Sequence, residues 1–293
     1  MDDRDLRQRA IELYDRFTHE GRDRRAFMAD LTRLAGSAAA AQALVLSIAP
    51  SAAAAEVIPA DDPRLATGTV RWTSVGNRPL AGYSARLKEP GIATPAVLVI
   101  HENRGLTPHI RDVARRMAIA GFHALAPDLL TPAGGTPADE DRAREMIGAL
   151  DLAATVRDAQ SGIEWLRRQP GGTDKVGAVG FCWGGAMIYR LAIADGPLLD
   201  AGVSYYGPAP AVAEATRLRT PLLVHIAGLD TRVNATAEPF AAGAEAAGKT
   251  LSLHNYPGVN HAFNNDTSAE RFDQAAATLA SDRTLAFLRQ QLA

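Results

Sequence analysis

Lys175-Val-Gly-Ala-Val-Gly-Phe-Cys-Trp-Gly-Gly-Ala186 is the stretch from which the fold is read. Its first half is small and apolar and reads as a buried strand. Its second half opens a helix, because Gly184-Gly185-Ala186-Met187 leads into an apolar run through Leu191. Between them, Gly180-Phe181-Cys182-Trp183-Gly184 has the Gly-x-nucleophile-x-Gly pattern of a strand-to-helix elbow, with Cys where Ser is commoner. A turn that sharp brings two backbones close, so a Cβ at either flank would clash. The sulfur is then held at the first turn of a helix, where N–H dipoles favour thiolate over thiol. Alone the pattern is weak, and an inert buried thiol beside a glycine hinge fits it better.

Strand and helix patterns alternate outward from this elbow. Pro95 to Ile100 is a continuous apolar run, as expected of a strand buried on both faces. A helix is expected from about His109 to Ala120, ended by Gly121, and Phe122 to Ala126 is the next strand, stopped by Pro127. Ahead of these, Val70 to Thr73 and Leu80 to Leu87 flank Gly76-Asn77, which predicts an antiparallel hairpin. A Pro/Gly-rich loop at 131–141 and helical patterns over 141–168 precede the central strand. Ala201 to Tyr206, Leu222 to Ala227 and Leu251 to Tyr256 read as three more strands, and a last helix is expected from about Ser268. The alternation predicts an α/β fold with a mostly parallel, doubly wound sheet.

Composition narrows the function. The 293 residues are 47% hydrophobic and 22% charged, a globular balance. Lys+Arg 31 against Asp+Glu 33 gives net −2, so no basic excess exists to grip nucleic acid or an anionic membrane surface. The single Cys excludes an internal disulfide. There is no CxxC and no HExxH, so no metal and no cofactor are expected.

Residues 1–55 stand apart from the rest. Ile11, Leu13, Tyr14 and Phe17 form one apolar stripe in a charged helical pattern. Asp23-Arg24-Arg25-Ala26-Phe27-Met28 follows, and from Arg33 no charge appears until Glu56. One reading is an export signal: paired Arg, an apolar region, then small residues from Ala52 to Ala55 as a cleavage point. The other is an ordered helical arm packed on the main domain or on a second copy, which makes it a candidate homo-oligomer contact. The protein is accordingly expected in the cytoplasm or the periplasm. Stable membrane insertion is not expected, because Gln42, Ser47 and Pro50 interrupt the weakly apolar run. Residues 56–68, with Pro59, Asp61, Asp62, Pro63 and Gly68, read as a linker to a main domain over 69–293.

In a doubly wound sheet, functional groups gather outside the carboxyl ends of the strands. His101-Glu102-Asn103-Arg104-Gly105 follows one strand, Cys182 another, Gly228-Leu229-Asp230 a third, and Pro257-Gly258-Val259-Asn260-His261 a fourth. Nucleophile, acid and histidine occur in that order, each at the strand end the order requires. Cys182 would attack as thiolate, His261 would move the proton, and Asp230 would hold the imidazole tautomer. His123, His225 and His254 lie in strand patterns and His19 and His109 in helical ones, so local hydrogen bonding is expected of them; His101 is placed to shape its loop. Every candidate catalytic residue lies beyond residue 100, so the arm is expected to be dispensable for chemistry.

With these pieces assembled, residues 65–293 resemble the dienelactone hydrolase family of α/β-hydrolases. The resemblance rests on His101 to Gly105, Lys175 to Gly185, Tyr205-Tyr206-Gly207, Ala227 to Asp230, and Tyr256-Pro257-Gly258 with His261-Ala262-Phe263. It implies an α/β-hydrolase fold and a Cys-His-Asp triad that hydrolyses small lactones or activated esters through an acyl-enzyme. It implies that Glu102 regulates the thiol and that the N–H groups of Trp183 and Asn103 form the oxyanion hole. It also implies two arginines for a substrate carboxylate. One family position holds Asn265 here; the other falls near Arg142 and Arg144, and Arg104 is a further candidate, with Tyr206 beside the site. With one arginine replaced by Asn265, neutral or bulkier substrates are expected to be preferred. A general carboxylesterase or thioesterase on the same triad is the nearer alternative, and a non-catalytic binding or assembly protein the more distant one.

Overall fold

The computed structural model describes all residues except 1, 52–55, 90–92 and 197–198. The chain opens with α1 (Asp3–His19), α2 (Arg24–Ala35) and α3 (Ala38–Ile48). Each begins on a side-chain cap, from Asp2, Asp23 and Ser37 respectively, and Gly36 closes α2 in the left-handed conformation at φ 79°. Their apolar faces form a cluster of their own, in which Phe17 and Phe27 stack at 4.6 Å beside Ile11, Tyr14, Leu31 and Ile48. Among the described residues no single helix is long and apolar enough to cross a membrane; α2 and α3 reach that length only together, across a 109° bend. The small-residue run read as a cleavage point lies outside the described residues.

β1 (Leu65–Ser74) and β2 (Arg78–Leu87) form the expected hairpin, turned by Gly76 and Asn77 at φ 75° and 58°. β1 starts inside the stretch expected to be a linker, because Leu65 is buried and pairs with Leu87. The other strands are β3 (Thr94–Ile100), β4 (His123–Asp128), β5 (Gly172–Phe181), β6 (Ala201–Tyr205), β7 (Leu222–Ala227) and β8 (Leu251–Tyr256). They lie in the order β1-β2-β4-β3-β5-β6-β7-β8, parallel from β4 onward. Pro127 does not end β4: it stands opposite Gly82, where β2 approaches so closely that a Cβ would meet Ala126 O at 2.7 Å.

Period-two alternation sends Val97 and Val99 to one face of the sheet and Leu98 and Ile100 to the other. The first face is covered by α4 (Pro108–Ile119) and α9 (Gln274–Gln291). The second is covered by α6 (Leu152–Arg167), α7 (Trp183–Ile193) and α8 (Thr231–Ala246), with α5 (Glu140–Gly148) packed beside Leu130. The last helix starts later than expected. Ser268 to Phe272 forms turns instead, since Ser268 Oγ and Arg271 Nε both donate to the Ile48 carbonyl at the end of α3, and Asp273 caps α9.

Candidate active site

Cys182 sits where β5 ends and α7 begins, at φ 55° and ψ −113°. That left-handed backbone is strained for a residue with a Cβ. It is held by Cys182 N–H donating to Tyr205 O at 2.9 Å and by Ala186 N–H donating to Cys182 O at 3.1 Å. The flanking glycines are needed: a Cβ on Gly180 would strike Gly184 O, and one on Gly184 would strike the Ile100 carbonyl.

Asp230 follows β7 and caps α8, its Oδ1 accepting from Val233 N–H at 3.2 Å. Its Oδ2 accepts the Nδ1–H of His261 at 2.5 Å. That bond sets the tautomer and leaves Nε2 for the sulfur, the side chains of Cys182 and His261 offering atoms within 4.8 Å of each other. Burial opposes a charge on His261, but Asp230 and the sulfur of Cys182 outweigh it and carry its pKa up to about 10. Burial likewise opposes charge on Asp230, yet His261, then Arg232, hold the carboxyl below 3.8. At neutral pH the two form an imidazolium–carboxylate pair.

The backbone N–H groups of Trp183 and Asn103 donate to no backbone acceptor among the described residues, as an oxyanion hole requires. His101 shapes this loop: its Nδ1 bonds Glu102 O at 2.7 Å and its ring stacks on Trp183 at 5.4 Å. Glu102 is buried beside Cys182, but its carboxylate accepts from Asn265 Nδ2 at 3.1 Å. Asn265 also accepts from Thr267 N–H and Oγ1, at 3.0 and 2.6 Å. It therefore positions Glu102 and is not free for substrate.

The other expected substrate contacts are redistributed. Arg104 lines the Cys182 cavity but is bound by Tyr14 OH at 2.6 Å and Glu140 at 3.2 Å. Arg144 is turned away: it pairs with Asp141 and lies 4.2 Å over the Phe17 ring. Arg142 pairs with Glu145 on the surface. Tyr206 is buried beneath the His261 ring at 4.9 Å, where it supports the imidazole.

Two residues at the site were not foreseen. Arg271 lines the Cys182 cavity, and so does His19, at the end of α1. His19 Nδ1 lies 3.8 Å from Cys182 Sγ, and its ring stands 4.6 Å from that of His261. Burial, then the charge on His261, press the His19 pKa well below 6.5, so it is neutral. The neighbouring Thr18 carbonyl accepts from Asn103 Nδ2 at 3.0 Å. The arm thus reaches the candidate site. With the arm seated, the cavity at Cys182 is only about 10 Å³, room for one water and for no ester. Glu102 and Arg104 also line a second cavity, of about 290 Å³, that reaches Leu106, His109 and Pro50.

Residues 80–292 match the model of the dienelactone hydrolase family. Carboxymethylenebutenolidase 1 of Cupriavidus pinatubonensis is 32% identical over 216 residues, spanning 70% of this chain and 91% of its own. Carboxymethylenebutenolidase of Pseudomonas putida is likewise 32% identical over 216 residues, spanning 70% of this chain and 90% of its own. Among solved structures, a protein of Klebsiella pneumoniae subsp. pneumoniae, described provisionally as a dienelactone hydrolase, superposes with a TM-score of 0.68. It is 28% identical and covers 77% of this chain and 99% of its own. The helices α1 to α3 lie outside the matched residues.

Proposed function

The chain belongs to the dienelactone hydrolase family, and from that premise we propose that it opens small lactones and cleaves small esters through an acyl-enzyme on Cys182. It is a hydrolase of ester bonds; the assignment of roles to residues is the proposal. The single observation that carries it is the 2.5 Å bond from His261 to Asp230, which aims the other imidazole nitrogen at the only sulfur nucleophile in the chain. The thiolate of Cys182 attacks the carbonyl carbon, and the N–H groups of Trp183 and Asn103 receive the oxyanion. As the intermediate collapses, the His261 imidazolium gives its proton to the leaving oxygen, which in a lactone stays tethered to the acyl group. Neutral His261 then takes a proton from water as it attacks the thioester, and thiolate departs.

Substrate charge is the second part of the reading. Arg104 and Arg271 both line the Cys182 cavity. In the seated state Tyr14 holds one, and Asp15, at 3.4 Å, holds the other. Once the arm lifts, a carboxylate on the acyl portion meets two guanidinium groups, that of Arg104 still paired with Glu140. Arg271 thereby supplies a charge that Asn265 lacks, which weakens the expectation of neutral substrates.

The test is a burst assay with an activated ester, followed by mass spectrometry. A stoichiometric burst with an acyl mass on Cys182, and its loss in Cys182→Ala, is expected. Turnover that survives Cys182→Ala would remove the nucleophile assignment.

A further inference from the structure

We propose that His19, Cys182 and His261 form a binding site for a single soft divalent cation such as Zn²⁺, which latches the arm onto the catalytic cleft. One ligand-capable atom from each of the three lies within 4.8 Å of the other two, and His19 Nδ1 is already 3.8 Å from the sulfur. Two imidazoles and one thiolate are a donor set that zinc takes, leaving a fourth tetrahedral position open.

Three further observations point to a ligand there. His261 Nε2 belongs to a side chain 2% exposed and, apart from the Cys182 sulfur it faces, has no hydrogen-bond partner among the described residues. Its other nitrogen is bound by the Asp230 carboxylate at 2.5 Å, the outer-shell contact that orients metal-bound histidines. The remaining space at the sulfur, about 10 Å³, is the size of one small species such as a bare cation.

Zinc–sulfur and zinc–nitrogen bonds of about 2.3 and 2.1 Å place neighbouring ligands roughly 3.3–3.7 Å apart, so the trio has to close by about 1 Å. His19 is only half buried and sits at the last turn of α1, so rotation of its side chain supplies that movement. Binding sends the Nε2 proton of the His261 imidazolium to solvent, and the thiol proton with it where the sulfur is still protonated, and no electron is transferred.

The consequence is specific to this chain. Two ligands come from the sheet's strand ends and one from an arm that the matched family region does not include. The cation would therefore occupy the nucleophile and hold the arm shut in one act. The site does not depend on Cys182 being the nucleophile, so a failure here and a failure of the hydrolase mechanism are separable.

The experiment is titration of the full reduced chain with Co²⁺ and Zn²⁺. Expected is one equivalent of Co²⁺, with the near-ultraviolet charge-transfer band of a cobalt–thiolate bond and the visible bands of tetrahedral cobalt, both displaced by Zn²⁺. Cys182→Ser should abolish the charge-transfer band. His19→Ala and the shape-conserving His19→Gln should weaken Zn²⁺ binding by at least about a hundredfold. Limited proteolysis within α1 to α3 should slow with Zn²⁺ in wild type and not in His19→Gln. Cobalt bound without the charge-transfer band would overturn the proposal. So would an undiminished Zn²⁺ affinity in His19→Gln.

Discussion

Replacing Arg271 with alanine is expected to speed the hydrolysis of a neutral ester. Arg271 is buried and ties the arm to the sheet domain at several points. Its Nε donates to Ile48 O at 3.1 Å, its Nη1 pairs with Asp15 at 3.4 Å, and its guanidinium lies 5.1 Å from the Tyr14 ring centre. A hydrogen bond to a buried charged group contributes about 1.5–3 kcal/mol. Two such contacts cross to the arm. Ile48 O keeps Ser268 Oγ at 2.6 Å, and burial raises the Asp15 pKa, which blunts the cost of leaving that carboxyl unpaired. A net loss of about 3 kcal/mol of docking is a fair figure. At 1.4 kcal/mol per tenfold it raises the open fraction by about a hundredfold, until the open state dominates. A cavity of about 10 Å³ admits no ester, so the open fraction multiplies kcat/KM directly. The chain has one cysteine, so the rate of iodoacetamide labelling reports opening without ambiguity. Labelling and kcat/KM for p-nitrophenyl acetate should rise together in Arg271→Ala, and less in Asp15→Asn, which breaks the same pair from the arm side. A folded Arg271→Ala protein with labelling within about twofold of wild type would refute the reasoning.

Further outcomes follow from the same geometry. Asp230→Asn should fold and lose about 10³- to 10⁴-fold in rate, because the amide no longer fixes the tautomer; an unchanged rate would assign the orienting acid elsewhere. Because the folded pKa of His261 is raised from 6.5 to about 10, its contribution to stability is complete below about pH 6.5 and fades as pH rises to about 10. Asp230, held below 3.8, contributes above that value and loses its contribution as pH falls through its folded pKa. Melting temperature should therefore fall between pH 7 and pH 10 more steeply in wild type than in Asp230→Asn; parallel curves would show that the pair does not carry that charge. Arg104→Gln should lower the ratio of catalytic efficiencies for a carboxylated lactone over its neutral analogue by about thirtyfold, equivalent to about 2 kcal/mol; an unchanged ratio would free Arg104 from substrate binding.

The sheet was legible because its grammar is local. Continuous apolar runs such as Pro95 to Ile100, closed by glycine and proline, mark buried strands, and strand ends locate Cys182, Asp230 and His261 before any contact is known. Two boundaries shifted for tertiary reasons: Leu65 is drawn into β1 by pairing with Leu87, and Ser268 and Arg271 are turned toward Ile48 O. His19 was illegible because its partner is 163 positions away and nothing in a helical period distinguishes it from a surface residue. The one local hint is that the buried face of α1 runs on past Phe17 to Thr18, beyond the apolar stripe. Asn265 was read as a missing charge, whereas its amide serves Glu102. Arg271 escaped notice because charge patterning reveals nothing about a cation that is 5% exposed.

The arm carries its own apolar centre, with Phe17 against Phe27, while its named ties to the rest of the chain are mostly polar: Gln8 with Asn260, Tyr14 with Arg104, Asp15 with Arg271. Such a unit does not fray residue by residue. It is expected to detach whole, as a foldon whose opening costs less than global unfolding. In native-state hydrogen exchange the amides of α1, α2 and α3 would share one opening free energy, distinct from that of β3 and β5 beneath. The conformational clock of the enzyme would then be set by the cohesion of a small helical body, and tuned by any solute that competes for its polar seams.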